Sequence, residues 1–129
     1  MAQKKVIVSK RGPKAKGPYS AAVAFDGLLF VSGQVPVDPD TGKVVGDSVE
    51  EQVVRAFENL RLILEDAGSS LDHVLKITLY LGDMGHFVRA NEVYQRFFTE
   101  GNYPARTTIQ AGRLPFDVLV EIDAIAQMP

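Results

Sequence analysis

An arginine and two carboxylates stand in two strand-like segments near the end of the chain. Arg106 follows Pro104 by two residues, and Glu121 and Asp123 lie two residues apart in the last apolar segment. A guanidinium and carboxylates can pair with one another as a structural salt bridge, or they can bind an ionic ligand and transfer protons in a polar pocket. The residue types by themselves leave both interpretations open.

The sequence lacks the residues that several other catalytic chemistries require. The chain contains no cysteine, which excludes thiolate nucleophiles, cysteine-ligated zinc and iron–sulfur clusters and fits a reducing cytoplasm. It contains no Walker phosphate loop, no Rossmann glycine fingerprint, no His-Glu-x-x-His and no nucleophile elbow. The two histidines, His73 and His86, flank predicted elements, and we interpret them as surface groups.

Length and composition indicate one globular domain that spans residues 1–129. Hydrophobic residues make up 46% of the chain and charged residues 23%, a balance that excludes a disordered tail or a coiled coil. No signal-peptide core follows the N-terminus, and no apolar run approaches the roughly 20 residues of a bilayer-spanning helix. We therefore expect a cytoplasmic protein without a membrane segment.

The formal net charge of −2 is unevenly distributed along the chain. Every charged side chain of residues 2–16 is basic, whereas acidic groups outnumber basic ones two to one in residues 17–129. No aromatic residue alternates with the N-terminal lysines to stack on bases, and the acidic remainder would repel a polyanion. The pattern favours a solvated basic arm, and nucleic-acid binding is not expected.

Two helices are predicted from capping and periodicity signals. Ser48, with a glutamate three residues later, forms a capping-box pattern, and Gly68 is a stop signal, so the first helix is predicted over residues 49–67. The second helix is predicted over residues 84–99, with Asp83 as its N-cap. The amide of Asn91 lies within its apolar stripe, as either a buried hydrogen-bonding group of the core or a polar contact that reaches a site. The other residues of this stripe are expected to pack in the core: Phe87, Ala90, Tyr94, Phe97 and Phe98.

Strand signals place these helices in an α+β domain. Asp26-Gly27 joins two short apolar runs in the pattern of a type I′ hairpin turn. The full order reads β-β-β-α-β-α-β-β, which predicts one mixed sheet with both helices packed on one face.

The opposite sheet face is predicted to carry a mixture of polar, charged and apolar side chains. Alternation along the strands assigns to this face Lys76, Thr78, Tyr80, Arg106, Thr108, Glu121 and Asp123, together with Leu119 and Ile125. Such a face carries too many polar and charged side chains for a core, and too many apolar ones for a surface that contacts only solvent. We expect a second copy of the chain to cover it, with polar pockets where subunits meet.

Five short motifs give the sequence a family resemblance. They are Gly17-Pro18-Tyr19-Ser20, Val31-Ser32-Gly33-Gln34-Val35-Pro36, Asn91-Glu92-Val93-Tyr94, Pro104-Ala105-Arg106-Thr107 and Glu121-Ile122-Asp123-Ala124-Ile125-Ala126. In this order the chain resembles the Rid (YjgF-type) family of reactive-intermediate deaminases, over nearly its whole length from Lys5 to Gln127. Each motif alone is a weak signal, but five in register with the element order are a strong one.

The resemblance implies a chorismate-mutase-like homotrimer with its clefts between subunits. It also implies the activity: hydrolysis of short-lived 2-imino acids and their enamine tautomers, such as 2-aminoacrylate, to 2-keto acids and ammonia, a form of metabolite damage control. Since imines already hydrolyse readily in water, positioning and acid–base help suffice, and we expect neither a metal nor an organic cofactor.

The resemblance further assigns roles to the acid and the arginine. Arg106 would bind the substrate carboxylate through two parallel hydrogen bonds. Glu121 would orient or deprotonate the attacking water or pass protons to the imine nitrogen. Asp123 is the less favoured acid, and the simpler alternative for Arg106 is a structural ion pair with Glu121 or Asp123.

The remaining family positions would bind the substrate. Tyr19 and Asn91 would line the cleft, and either could come from the neighbouring subunit, although ordinary loop packing also explains Tyr19. Ser32 and Gly33 would border the ligand through backbone and hydroxyl, with glycine permitting close approach.

Thr108 departs from the family pattern, because many members have cysteine two residues after the arginine. A thiolate mechanism is therefore excluded here, which leaves water as the nucleophile or an inactive chain. The threonine hydroxyl can still donate a hydrogen bond to a carboxylate or a water, and its branch alters the pocket volume.

Two other functions remain as alternatives. One is an endoribonuclease or translation inhibitor, a label attached to relatives of this family and supported here by the basic arm alone. The other is a non-catalytic protein that binds small carboxylates through the same arginine.

Overall fold

The first helix has well-defined ends in the computed structural model, which describes residues 2–129. This helix, α1, spans Val49–Asp66, in agreement with the predicted span to within one residue. The Ser48 hydroxyl accepts a hydrogen bond from the Glu51 N–H at 3.1 Å. Gly68 follows the helix with a φ of 94°, a left-handed conformation that glycine adopts without steric cost.

The second helical segment is less regular than the sequence predicts. Only Phe87–Tyr94 form an α-helix, α2, and single 3₁₀ turns at Met84–His86 and Gln95–Phe97 precede and follow it. The prediction of one continuous helix is therefore wrong at both ends, where the backbone tightens into 3₁₀ turns as helix termini often do. Asp83 caps the segment as predicted, since its side chain accepts a hydrogen bond from a main-chain N–H at 2.8 Å.

Six strands of the described chain form one mixed sheet. They are β1 (Lys5–Ile7), β2 (Ala22–Phe25), β3 (Leu28–Gln34), β4 (Val74–Leu81), β5 (Ala105–Gln110) and β6 (Val120–Gln127). Their order is β1-β2-β3-β6-β4-β5, and every neighbouring pair is antiparallel except β4 and β5. The turn between β2 and β3 has φ values of 49° at Asp26 and 82° at Gly27, which confirms the predicted hairpin.

The core lies between the two helices and one face of the sheet. Phe57 and Leu60 of α1 are fully buried together with Leu79 of β4 and Ile122 of β6, and Tyr94 of α2 belongs to the same cluster. The predicted α+β architecture, with both helices on one face of a single sheet, is confirmed. Within residues 2–129, no helix combines the length and the apolar character needed to cross a membrane.

The sheet register corrects the predicted position of Arg106. In the parallel pairing of β5 with β4, Arg106 lies beside Ile77 and Thr108 lies beside Leu79, so both side chains belong to the helix-covered face. Glu121 instead lies beside Tyr80 of β4. We call the face without helices the open face. The prediction that Arg106 and Thr108 share this face with Glu121 is wrong, because alternation within a strand does not fix its register against the next strand.

Two apolar side chains also differ from the predicted alternation. Alternation with Ile77, Leu79 and Leu81 predicts Leu75 on the core face, but Leu75 is 46% exposed, because the register shifts between Val74 and Lys76 and rotates it outward. Leu119, expected on the open face, lies just before β6 and packs against the core.

The N-terminal arm is fixed to the end of α1 by Asp66. This carboxylate accepts hydrogen bonds from the Ser9 hydroxyl at 2.7 Å, the Arg11 N–H at 2.9 Å and the Arg11 guanidinium at 2.6 Å. Burial opposes ionisation of Asp66, but these hydrogen bonds outweigh it and lower its pKa to about 2. Lys14 also donates to the Ser9 and Lys10 carbonyls. The N-terminal arm, which is predicted to be solvated, is therefore partly docked on the end of α1.

We expect Asp66→Asn to lower the free energy of unfolding at pH 7 by roughly 1–2 kcal/mol. Because the pKa is depressed in the folded state, the stabilisation is fully present above about pH 5 and is lost as the pH falls toward about 2. Urea unfolding at fixed protein concentration should give a constant difference from wild type between about pH 5 and 7 and a smaller one near pH 3. Glu100→Gln, at an exposed position, is the control. A difference that persists unchanged at pH 3 would contradict this account.

Candidate functional site

Arg106 projects from β5 against one face of α2. Its Nη1 donates a hydrogen bond to Asn91 Oδ1 at 2.7 Å. Its Cζ lies 4.6 Å from the centroid of the Tyr94 ring and 5.6 Å from that of Phe87. Hydrogen bonding and cation–π attraction together fix the plane of the guanidinium.

Arg106 has no acidic partner among residues 2–129. Neither Glu121 nor Asp123 lies within salt-bridge distance, so the alternative of a structural ion pair is not supported within one chain. The guanidinium borders a cleft of about 420 Å³ lined by Asn91, Tyr94, Gln95, Tyr103, Pro104 and Arg106. Since only one of its donors has a protein partner, the remaining edge can bind an anion bidentately.

Two hydroxyl groups near Arg106 are buried without hydrogen-bond partners within the described residues. They belong to Tyr94, which is 4% exposed, and to Thr108. Burial raises the pKa of the Tyr94 phenol, and the positive charge of Arg106 partly opposes this shift. A buried hydroxyl without a partner is costly, and a bound water can supply the missing hydrogen bond.

Sequence reasoning included Asn91 in the site but left Tyr94 and Phe87 in the core. The signal for both was present, because Phe87, Asn91 and Tyr94 follow the i, i+4, i+7 spacing of one helix face. All three contact the same guanidinium. Together with Arg106 and Thr108 they form what we call the arginine half.

Glu121 lies over Gly33 on the other side of the sheet. A β-carbon at Gly33 would overlap the Glu121 carboxylate, so only glycine permits this approach. Gly33 lies where the register between β3 and β6 shifts, between Val31 and Gln34. This irregularity opens the space that the carboxylate occupies.

Ser32 connects this region to the loop that carries Tyr19. The Ser32 hydroxyl donates to the Ser20 carbonyl at 2.6 Å, and its N–H donates to the Ala21 carbonyl at 3.0 Å. Because the hydroxyl proton is used there, Ser32 Oγ can only accept a hydrogen bond from a ligand. Tyr19 is exposed and lines the same cleft as Gly33.

The two acids of β6 differ in their surroundings. Asp123 accepts a hydrogen bond from the Tyr80 hydroxyl at 2.9 Å, whereas Glu121 has no hydrogen-bond or ion-pair partner within residues 2–129. Burial, and secondarily the charge of Asp123, raises the pKa of Glu121 above its ordinary value. A half-buried, unpartnered carboxylate with a raised pKa is suited to proton transfer. We call Glu121, Gly33, Ser32 and Tyr19 the glutamate half.

One chain therefore carries two separate groups of site residues. The structure brings Arg106 together with Asn91, and Glu121 together with Gly33. It does not bring Arg106 to Glu121, because the two side chains leave opposite faces of the sheet.

Comparison with known proteins gives consistent matches over nearly the whole chain. The family model described as Endoribonuclease L-PSP matches residues 9–128. A RutC family protein from Pyrococcus abyssi is 47% identical over 123 residues, which cover 95% of this chain and 96% of the relative. TdcF of Escherichia coli, named as a candidate reactive intermediate deaminase, is 42% identical over 125 residues, which cover 95% of this chain and 96% of the relative.

Solved structures match equally well. A crystal structure of a candidate endoribonuclease from Thermotoga maritima has a TM-score of 0.92 at 43% identity, covering 98% of this chain and 99% of that one. The crystal structure of Escherichia coli TdcF with bound serine has a TM-score of 0.88 at 39% identity, covering 97% of this chain and 99% of that one.

We expect Gly33→Ala to displace the Glu121 carboxylate with little effect on folding. The overlapping group is the end of a flexible side chain, so the free energy of unfolding should change by less than about 1 kcal/mol. Displaced toward solvent, Glu121 should titrate closer to the ordinary value of about 4.3, as measured by NMR of its carboxyl carbon. Gly112→Ala, where a β-carbon meets nothing within 4 Å, is the matched control. An unchanged Glu121 titration in Gly33→Ala would refute this packing.

Proposed function

Since the Endoribonuclease L-PSP model over residues 9–128 and relatives such as TdcF show that the chain belongs to the Rid (YjgF-type) family, we propose that it is a hydrolytic deaminase of 2-imino acids and their enamine tautomers, such as 2-aminoacrylate. Its products would be 2-keto acids and ammonia. The observation that carries this proposal is the half-buried Arg106, which is oriented by an amide and two aromatic rings and lacks an acidic partner among the described residues. The proposed location is the cytoplasm, which suits a chain without cysteine.

Arg106 is proposed to anchor the substrate carboxylate. Asn91 uses one Nη of the guanidinium, and Tyr94 covers one of its faces, which leaves a free edge to form two parallel hydrogen bonds. Such a grip fixes the position of the adjacent C=N carbon and lowers the entropic part of the barrier. The serine bound in TdcF, an α-amino carboxylic acid, is consistent with a ligand of this class.

Glu121 is proposed to activate the attacking water. The carboxylate takes a proton from the water as its oxygen bonds to the imine carbon, and it passes that proton to the nitrogen of the resulting carbinolamine. Glu121 then takes the proton of the new hydroxyl group and transfers it to the amino nitrogen as the C–N bond breaks, so that ammonia leaves and the carbonyl of the keto acid forms. The raised pKa of Glu121 supports this role, because a stronger base accepts the proton more readily. Thr108 is proposed to act on the ligand through a bound water, since its unpartnered hydroxyl is buried and does not line the cleft beside Arg106.

A homotrimer with clefts between subunits is proposed to complete the site. The arginine half of one subunit would face the glutamate half of its neighbour, since one chain cannot bring them together. Exposed apolar side chains on the open face, such as Phe30 and Ile109, support association. The outer strand β5, which carries Arg106, lies at the sheet edge where a neighbour can approach.

The description Endoribonuclease L-PSP makes RNA cleavage the second candidate. Its support in the chain is the basic arm, where Arg11 is already paired with Asp66 and Lys14 with backbone carbonyls. These intrachain contacts leave fewer cations for phosphates and favour the deaminase.

We expect wild-type protein to accelerate loss of 2-imino acids generated by an amino-acid oxidase, measured as a reduced semicarbazone signal. Arg106→Ala should lower kcat/KM about 10²-fold, because it removes the group that positions the reacting carbon. Arg96→Ala, at an exposed position without an ion pair in the described chain, is the matched control and should retain activity. A semicarbazone signal unaffected by wild type would reject the deaminase in favour of a binding protein. Cleavage of RNA by wild type and Arg106→Ala alike would favour the nuclease.

Mixing two inactive variants tests whether the site lies between subunits. Arg106→Ala and Glu121→Gln should each be nearly inactive, but co-expressed they should recover about a quarter of wild-type activity, since that fraction of randomly assembled interfaces joins two intact halves. Molar mass by light scattering should match three chains. No recovery in assembled mixtures would contradict the shared site.

A further inference from the structure

Phe116 combines two unfavourable features for an aromatic residue. Its side chain is 70% exposed, and its backbone has φ of 57° and ψ of 17°. The next residue, Asp117, also has a positive φ, of 55°. A non-glycine residue in the left-handed region is strained, and such strain persists only where the surroundings impose it.

The surroundings of Phe116 do impose this conformation. The residues at either end of its turn, Leu114 and Val118, are buried. The Asp117 N–H donates to the Leu114 carbonyl at 3.0 Å. The Arg113 guanidinium donates two hydrogen bonds, of 2.6 and 3.1 Å, to the Asp117 carboxylate. Phe116 is therefore presented at the tip of a fixed turn rather than by a loose loop.

Phe116 lines a cleft that reaches the glutamate half. The cleft is also bordered by Tyr19 and Gly33, and its apolar wall continues through Val35 and Pro39. Gly33 is the residue over which the Glu121 carboxylate lies. A molecule that reacts beside Glu121 can thus extend an apolar group from Gly33 toward Phe116.

We propose that the cleft between Tyr19 and Phe116 is the subsite for the substrate's side chain, so that the protein prefers 2-imino and 2-keto acids with branched or aromatic apolar side chains over those with a methyl group. This inference rests on the proposed function for the identity of the reacting group. The aromatic rings would flank the side chain and remove it from water, and each additional methylene would add to the preference. Phe116 would then be a specificity-determining residue rather than a catalytic one.

Binding of two 2-keto acids tests the subsite independently of turnover. By calorimetry, wild type should bind 4-methyl-2-oxopentanoate about tenfold more tightly than pyruvate. Phe116→Ala should reduce that ratio to about 1–2 while leaving pyruvate affinity nearly unchanged. Val88→Ala, a 72% exposed position on α2 outside this cleft, is the matched control. Equal affinities in wild type, or equal weakening of both ligands in Phe116→Ala, would overturn the proposal.

A second variant separates specificity from a structural role. Phe116→Gly relieves the backbone strain, so its Tm should be unchanged or higher while the preference for the branched ligand disappears. A lower Tm, or dissociation of the oligomer with equal loss of both ligands, would make Phe116 a packing residue and refute the subsite. If wild type shows the predicted binding preference but no semicarbazide-detected turnover, the deaminase fails and the subsite stands.

Discussion

The contact of Arg106 with α2 governs the arrangement of the candidate site. A guanidinium that hydrogen-bonds to Asn91 and stacks on Tyr94 has a fixed plane, but neither neighbour neutralises its charge. Holding an uncompensated cation in a half-buried position costs folding energy, and a bound anion recovers that cost. The aromatic face of α2 therefore serves two purposes, since Tyr94 belongs to the core and also supports the arginine.

The parallel pairing of β5 with β4 determines the face of the sheet on which Arg106 lies. It places Arg106 on the helix-covered face while β6 presents Glu121 on the open face. If β5 were shifted by one residue against β4, Arg106 would lie on the same face of the sheet as Glu121. With the observed register, Arg106 as the proposed anchor and Glu121 as the proposed acid meet only if another copy contributes one of them. Assembly and function are thereby coupled in the proposed trimer.

Local sequence signals predicted the helices, strands and turns. They did not predict the face of the sheet on which Arg106 lies, because that depends on pairing between strands that are distant in the sequence. The Ser48 cap, the Asp26-Gly27 turn and the order of elements are encoded within a few residues each, and the structure confirms them. The face occupied by Arg106 depends on its partner strand 29 residues away along the chain, at Ile77, so alternation alone gave the wrong answer. The sequence pattern assigns Tyr94 only to the core. The pattern of apolar residues on a helix face is the same whether or not that face also contacts an arginine.

The distribution of arginine partners distinguishes a site from ordinary surface electrostatics. Four arginines pair with carboxylates at 2.6 to 2.7 Å, namely Arg11 with Asp66, Arg61 with Glu58, Arg89 with Glu50 and Arg113 with Asp117. These pairs lie at or near the surface, where a partner is least needed because water screens the charge. Arg106 and Arg55 are both partly buried and donate to an amide, Asn91 and Asn59 respectively, instead of a carboxylate. Arg106 differs from Arg55 because its guanidinium also stacks on two aromatic rings and borders a cleft. Folding alone would favour the opposite assignment, since burial raises the cost of an unpaired charge. The carboxylate ligand proposed for Arg106 would take the place of the missing acidic residue.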